Sequence, residues 1–147
     1  SYMAAGERYR SRIEDAIYNI NLDQSGLLME ISARLILSER FERLIARRRE
    51  ILRQRNAIAE KILGQYEIHG GAEALCKWLV LSEGLRGEEL EKEALARNVS
   101  LYGAEHFAVG KETPLAGARL AISTPRSNEE LEQALLVIRD ILESRKL

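Results

Sequence analysis

Apolar positions recur at helical spacing through the first half of the chain. Tyr9, Ile13, Ile17 and Ile20 stand four, four and three residues apart, on one face of a predicted helix over residues 7–20. Residues 21–26 interrupt the pattern, and Ser25 has the side chain of an N-cap. Leu27, Leu28, Ile31, Leu35 and Ile36 predict a second, short helix. Ser38 predicts the cap of a third over residues 39–62. Its apolar side holds Phe41, Leu44, Ile45, Ile51, Leu52, Ile58, Ile62 and Leu63, and Gly64 is a stop signal.

Beyond Gly70-Gly71 the spacing changes. Leu75, Cys76, Trp78, Leu79, Val80 and Leu81 form a dense apolar run interrupted only by Lys77, which predicts a strand covered on both faces. Residues 88–97 predict a helix with an acidic first turn and with Leu90, Ala94 and Leu95 directed inward. Val99 to Tyr102 predicts a short strand. Residues 103–118, with Gly103, Gly110, Pro114 and Gly117, predict a long loop, and long ordered loops tend to be functional. Arg119 to Ser123 predicts another strand, with Leu120 and Ile122 on one face. Ser127 and Glu130 make a capping box for a last helix lined by Leu131, Leu135, Ile138, Ile141 and Leu142. A small sheet backed by helices is an α+β architecture.

Composition narrows the class. The 147 residues suit one domain, or a domain with an appendage. Apolar residues are 46 % of the chain, enough for a packed core. The 22 basic and 23 acidic residues leave a formal charge of −1, so no overall positive field points to nucleic acid. Cys76 is the single cysteine, which excludes an internal disulfide. No apolar run is long enough to span a bilayer. Residues 1–6 lack the basic and apolar regions of a signal peptide, so a cytoplasmic location is expected.

The chemistry-bearing residues are few. His69, His106 and Cys76 form no metal-ligand spacing, and Gly70-Gly71 lacks the lysine of a phosphate loop. Cys76 reads as buried and inert. Eight arginines fall between Arg34 and Arg55, spread over several helix faces. That reads as a solvated or interface helix, with Arg48 and Arg55 close enough to the apolar stripe to meet a partner surface or buried acidic groups. Glu105 and His106 offer an acid-base pair without a third, orienting group, and Lys111 has no neighbour that would lower its pKa. Arg119 reads two ways: an ordinary surface or ion-paired arginine, or a guanidinium placed beside a strand end to grip a carboxylate with two parallel hydrogen bonds.

From Phe41 onward, four passages resemble the C-terminal part of fold-type I pyridoxal-phosphate-dependent aminotransferases. They are most similar to the aminotransferase-like domain of MocR-type regulators in the GntR family. The Arg-rich helix from Phe41 to Asn56 is one. Gly70-Gly71 with Trp78-Leu79-Val80-Leu81 and Glu83-Gly84 is another. Val99-Ser100-Leu101-Tyr102-Gly103 followed by Phe107 is the third, and Ala118-Arg119-Leu120-Ala121-Ile122-Ser123 with the capped last helix is the fourth. The resemblance covers about the last two-thirds of the chain, and the earlier helices more loosely. Two departures stand out: the family's Pro-Gly after its second strand is Tyr102-Gly103 here, and its Leu-Pro after the tryptophan strand is Leu81-Ser82.

The resemblance implies a largely antiparallel sheet of three to four strands. It makes residues 1–36 the N-terminal helices that cross over from a large domain, and residues 37–147 the small domain. In the family, the arginine at this place binds the substrate α-carboxylate, a role that carries over to Arg119. The Schiff-base lysine and the rest of the cofactor site belong to the large domain. The resemblance therefore gives this chain no catalytic, cofactor-binding or metal-binding residues. Pyridoxal phosphate is expected in the full-length parent, with an amino-acid or keto-acid ligand, a homodimer, and DNA contacts only through a separate N-terminal domain. The parent reads as a GntR/MocR-type regulator. The alternatives are a metabolic amino-acid aminotransferase and a stand-alone binding module that has lost catalysis.

Overall fold

A computed structural model describes residues 6–20, 25–82, 84–110 and 116–145. The chain divides into two compact units, Ser1–Ile45 and Ala46–Leu147. The first contains α1 (Glu7–Ile20), α2 (Gly26–Ile36) and the start of α3 (Glu39–Leu63). These helices follow the predicted spacing, but their caps differ. Ser25 stands at the N-cap of α2 without a side-chain bond. The Ser38 hydroxyl donates back to the Leu35 carbonyl rather than capping α3. No described residue of α2 is buried.

The second unit holds the rest of α3, then β1 (Ile68–His69), β2 (Lys77–Val80), α4 (Gly87–Ala96), β3 (Tyr102–Gly103), a 3-10 turn (Ala104–Phe107), β4 (Gly117–Leu120) and α5 (Asn128–Ser144). The fold is α+β. The sheet has four strands in the order β1-β2-β4-β3, and every described pairing is antiparallel. β1 is too short to announce itself by alternation, and it pairs Ile68 with Leu79 and His69 with Trp78. The regular ladder is narrower than the apolar runs predict. Isolated bonds from Leu81 N–H to the Ala116 carbonyl and from Ser123 N–H to the Leu75 carbonyl continue it at both ends.

Side-chain alternation divides the sheet into two faces. Leu79, Ala118 and Leu120 turn to the core, where they meet Ile62 and Leu63 of α3, Leu90 and Ala94 of α4, and Leu131, Leu135, Ile138, Ile141 and Leu142 of α5. β2 is therefore not apolar on both faces, as the run of residues suggests. Its alternate residues Lys77 and Leu79 are buried, and Trp78 and Val80 are half-buried. Leu95, expected to point inward, is 63 % exposed. It lies about 100° round α4 from its neighbour Ala94, which is fully buried in the core, and so falls off the core-facing stripe. Cys76 is half-buried rather than fully enclosed, because it precedes the ladder.

Two helix ends follow their sequence closely. α4 stops at Asn98, which adopts φ 61° while the Val99 N–H bonds the Ala94 carbonyl, the bond of a Schellman motif. α5 starts where the capping box predicts: Glu130 N–H bonds Ser127 Oγ at 3.2 Å. The reciprocal Glu130 carboxylate accepts from the N–H of Arg126, one residue before the cap.

Candidate carboxylate-binding site

The antiparallel register sets Trp78 of β2, Arg119 of β4 and Tyr102 of β3 in one cross-strand row. Residues directly opposite in such a ladder share a face. The row lies on the face away from Leu79 and Ala118. Arg119 is the third residue of β4 rather than its first, so its backbone is held by strands on both sides.

Aromatic rings surround the Arg119 side chain. Its guanidinium carbon lies 5.1 Å from the centre of the Tyr102 ring and 4.9 Å from that of Phe107. Both are within cation–π range. Phe107 in turn meets Trp78 edge-to-face at 6.0 Å. The Trp78 indole lies over Gly117, where a Cβ would come within 2.7 Å of its Nε1. Glycine is what leaves room for the indole beside Arg119. The Nε of Arg119 is buried without a hydrogen-bond partner, and no described carboxylate forms an ion pair with its guanidinium. The ordinary ion-paired arginine is therefore not what the described residues form.

A polar brace holds the segment that carries both rings. Glu91 of α4 accepts the backbone N–H of Gly103 at 2.9 Å, and its two oxygens lie 3.0 and 3.2 Å from His106 Nε2. The His106 ring packs edge-to-face on Tyr102 at 5.3 Å. The partner of His106 is thus Glu91, fifteen residues earlier in α4, rather than its neighbour Glu105. Glu105 instead turns a buried oxygen, without a hydrogen-bond partner, toward Gly87 and Gly103. Those two glycines permit direct backbone approach: a Cβ on Gly103 would sit 2.6 Å from the Gly87 carbonyl carbon.

The segment after β4 is fastened by arginines. Arg55 is buried and donates to the carbonyls of Ile122, Ser123 and Pro125 and to Asn128 Oδ1, at 2.8–3.3 Å. Arg48 reaches the Ser123 carbonyl at 3.4 Å. The buried acidic partners anticipated for these two arginines are replaced by neutral carbonyls. On the core side of the sheet, Lys77 bonds Glu60 at 2.5 Å and the Gly70 carbonyl at 2.7 Å. His69 bonds Glu67. Among the described residues no group of histidine, cysteine and carboxylate side chains could hold a metal ion. Lys111 lies outside the described residues.

Sequence reasoning singled out Arg119, Tyr102 and His106 but not their relation. The strand register and the return of the 3-10 turn bring them together. Glu91 had no visible signal beyond its place in an acidic helix.

No protein-family model matches the chain. It is 36 % identical over 143 residues to the uncharacterized HTH-type transcriptional regulator YdeF of Bacillus subtilis, a match that takes in 97 % of this chain and 31 % of YdeF. The chain thus spans about a third of that relative's length. An archaeal alanine:glyoxylate aminotransferase shares the fold with a TM-score of 0.74 at 18 % identity, over 97 % of this chain and 36 % of the enzyme. LysN, an α-aminoadipate aminotransferase of Thermus thermophilus solved with N-(5'-phosphopyridoxyl)-L-leucine, gives 0.73 at 20 % identity, over 96 % and 37 %. An aromatic aminotransferase of Pyrococcus horikoshii gives 0.61 at 19 % identity, over 78 % and 30 %. No described helix is long and apolar enough to cross a membrane. Fold and relative point the same way: the chain has the fold of a segment of these aminotransferases and is similar to about a third of an HTH-type transcriptional regulator, consistent with an aminotransferase-like fragment of a MocR-type regulator.

Proposed function

We propose that this chain is the small domain of a longer, pyridoxal-phosphate-binding transcription regulator of the GntR/MocR type, in which Arg119 binds the carboxylate of an amino-acid or keto-acid ligand. In this reading residues 1–36 lead in from a larger domain and residues 37–147 form the small domain. The longer protein is a cytoplasmic homodimer that contacts DNA through a separate N-terminal domain. The observation that carries the ligand role is the guanidinium itself. It is fixed in the middle strand row, flanked by two rings, and has no carboxylate partner among the described residues. A guanidinium matches a carboxylate with two parallel hydrogen bonds.

In this reading the chain supplies the ligand end of such a site, and the cofactor end belongs to other parts of the longer protein. Lys77 lies on the opposite face of the sheet and is occupied by Glu60 and Gly70. No other described lysine lies in the Arg119 row. The cofactor would be held by other parts of the longer protein, where it supplies an electron sink for amino-acid chemistry. A metabolic aminotransferase would use the same arginine in the same way. The regulator reading is preferred because the sequence relative is a transcriptional regulator.

The test is a ligand titration of the full-length protein, followed by cofactor absorbance. Arg119→Ala should weaken amino-acid binding about 30-fold or more, as expected for loss of a charge-assisted bidentate contact. Cofactor binding should be unchanged. Unaltered amino-acid affinity in the variant would reject the role. Loss of specific DNA binding on removal of an upstream domain separates regulator from metabolic enzyme.

A further inference from the structure

Resting on the carboxylate role proposed for Arg119, we infer that Tyr102 and Phe107 are positioning residues that hold its guanidinium so that a planar carboxylate is met end-on, by the two terminal nitrogens. Three observations converge on this. First, both rings lie within about 5 Å of the guanidinium carbon, at 5.1 and 4.9 Å, and Trp78 backs the Phe107 ring at 6.0 Å. An arginine side chain free in solvent samples many rotamers, and ring contacts remove that freedom before a ligand arrives. Second, Nε is buried without a partner. A ligand therefore cannot use the side-on edge formed by Nε and one terminal nitrogen, and the end-on edge remains. Third, both rings ride on one segment, residues 102–107. Glu91 ties that segment to α4 through the Gly103 N–H and His106.

Tyr102 stands where the resemblance leads one to expect the proline of a Pro-Gly pair. The departure thus places a ring against the arginine rather than a rigid turn. The expected ligand class is a small acid with a free planar carboxylate, discriminated from the corresponding carboxamide. A carboxamide offers one acceptor where the end-on edge asks for two.

The experiment has two readouts. The first is the 1H resonance of the Arg119 Nε–H in the full-length protein, which two flanking rings shift by their ring currents. Tyr102→Leu and Phe107→Leu should each move it toward the position of a free arginine, and Phe107→Tyr should leave it in place. The second is titration of L-alanine, L-glutamate and L-phenylalanine, and of their amides, into the cofactor-loaded protein. Each leucine variant should lose about five- to tenfold in affinity for the acids, the scale of one cation–π contact. Affinity for the amides should hardly change, so acid-over-amide preference falls by the same factor. Phe107→Tyr should restore the preference. An Arg119 resonance that ignores both leucine variants overturns the inference, as does equal loss for acids and amides. If Arg119→Ala itself leaves the acids unaffected, the carboxylate role fails, whatever the rings do to the resonance.

Discussion

Two buried cations show how differently a charge can be accommodated at the scale of a residue. Arg55 has no carboxylate partner among the described residues. Its fork donates to three backbone carbonyls and an asparagine oxygen around residues 122–128. Removing it would leave those carbonyls under-satisfied and untie the turn after β4. Arg55→Met should therefore lower stability by about 2–4 kcal/mol. Urea melts should record this as a shifted midpoint with an unchanged slope. Arg55→Lys should recover only part of the loss, because a point charge cannot serve four acceptors spread around a planar fork. Lys77 is the contrasting case, an amine 2 % exposed and paired with the half-exposed Glu60. Lys77→Met removes a desolvated charge and keeps the volume, and should change stability by less than about 1 kcal/mol. Glu60→Ala leaves the amine buried with a single acceptor, and chemical melts should rank it as the more damaging variant.

At the scale of elements, backbone packs directly against backbone where α4 meets the sheet. The start of α4 touches the β3 segment through Gly87 and Gly103, and a Cβ on Gly87 would meet the Gly117 carbonyl oxygen at 2.5 Å. Gly87→Ala or Gly103→Ala should therefore cost about 1–3 kcal/mol by overpacking. Because the displaced segment carries Tyr102 and Phe107, both variants should also disturb the Arg119 resonance. The start of α5 offers a pH-dependent test. The Ser127 hydroxyl, and then a backbone hydrogen bond, hold the Glu129 carboxyl below its usual range. A carboxyl lowered in the folded state stabilises above its unfolded pKa and loses that contribution as pH falls through the folded one. Ser127→Ala should lower stability by about 1 kcal/mol near neutrality. Its deficit relative to the parent chain should narrow as the solution is acidified through the carboxylate range.

At the scale of the whole molecule, every member of the core cluster lies between Ala59 and Leu142. The described residues among 1–45 contribute none. A chain of residues 46–147 should therefore keep the near-ultraviolet signal of Trp78 and a single cooperative melt. Two melting transitions, or loss of the Trp78 signal, would show that the first unit is needed for the second. α2 leaves Leu27, Leu28, Met29, Ile31, Leu35 and Ile36 exposed. An apolar surface of that kind promotes association. Light scattering should accordingly find the 147-residue chain more prone to self-association than the shortened one.

Local pattern along the chain determined the five helices and the presence of the two central strands, but not the bounds of β4, which starts at Gly117 inside the expected loop. Helices depend on contacts three and four residues apart, which a sequence displays directly, and the buried face of α5 follows its spacing residue by residue. The capping box before it is equally local. The direction of Lys77, the two-residue strand β1 and the inward end of α4 depended on what lies across the sheet or beyond the helix. They became visible only with the strand register. The same holds for the candidate site. Arg119 could be singled out from its neighbours in sequence, but its rings come from positions 102 and 107 and their brace from position 91. The physical reason is that an arginine's role is set by what surrounds its guanidinium, and those surroundings are assembled by tertiary packing.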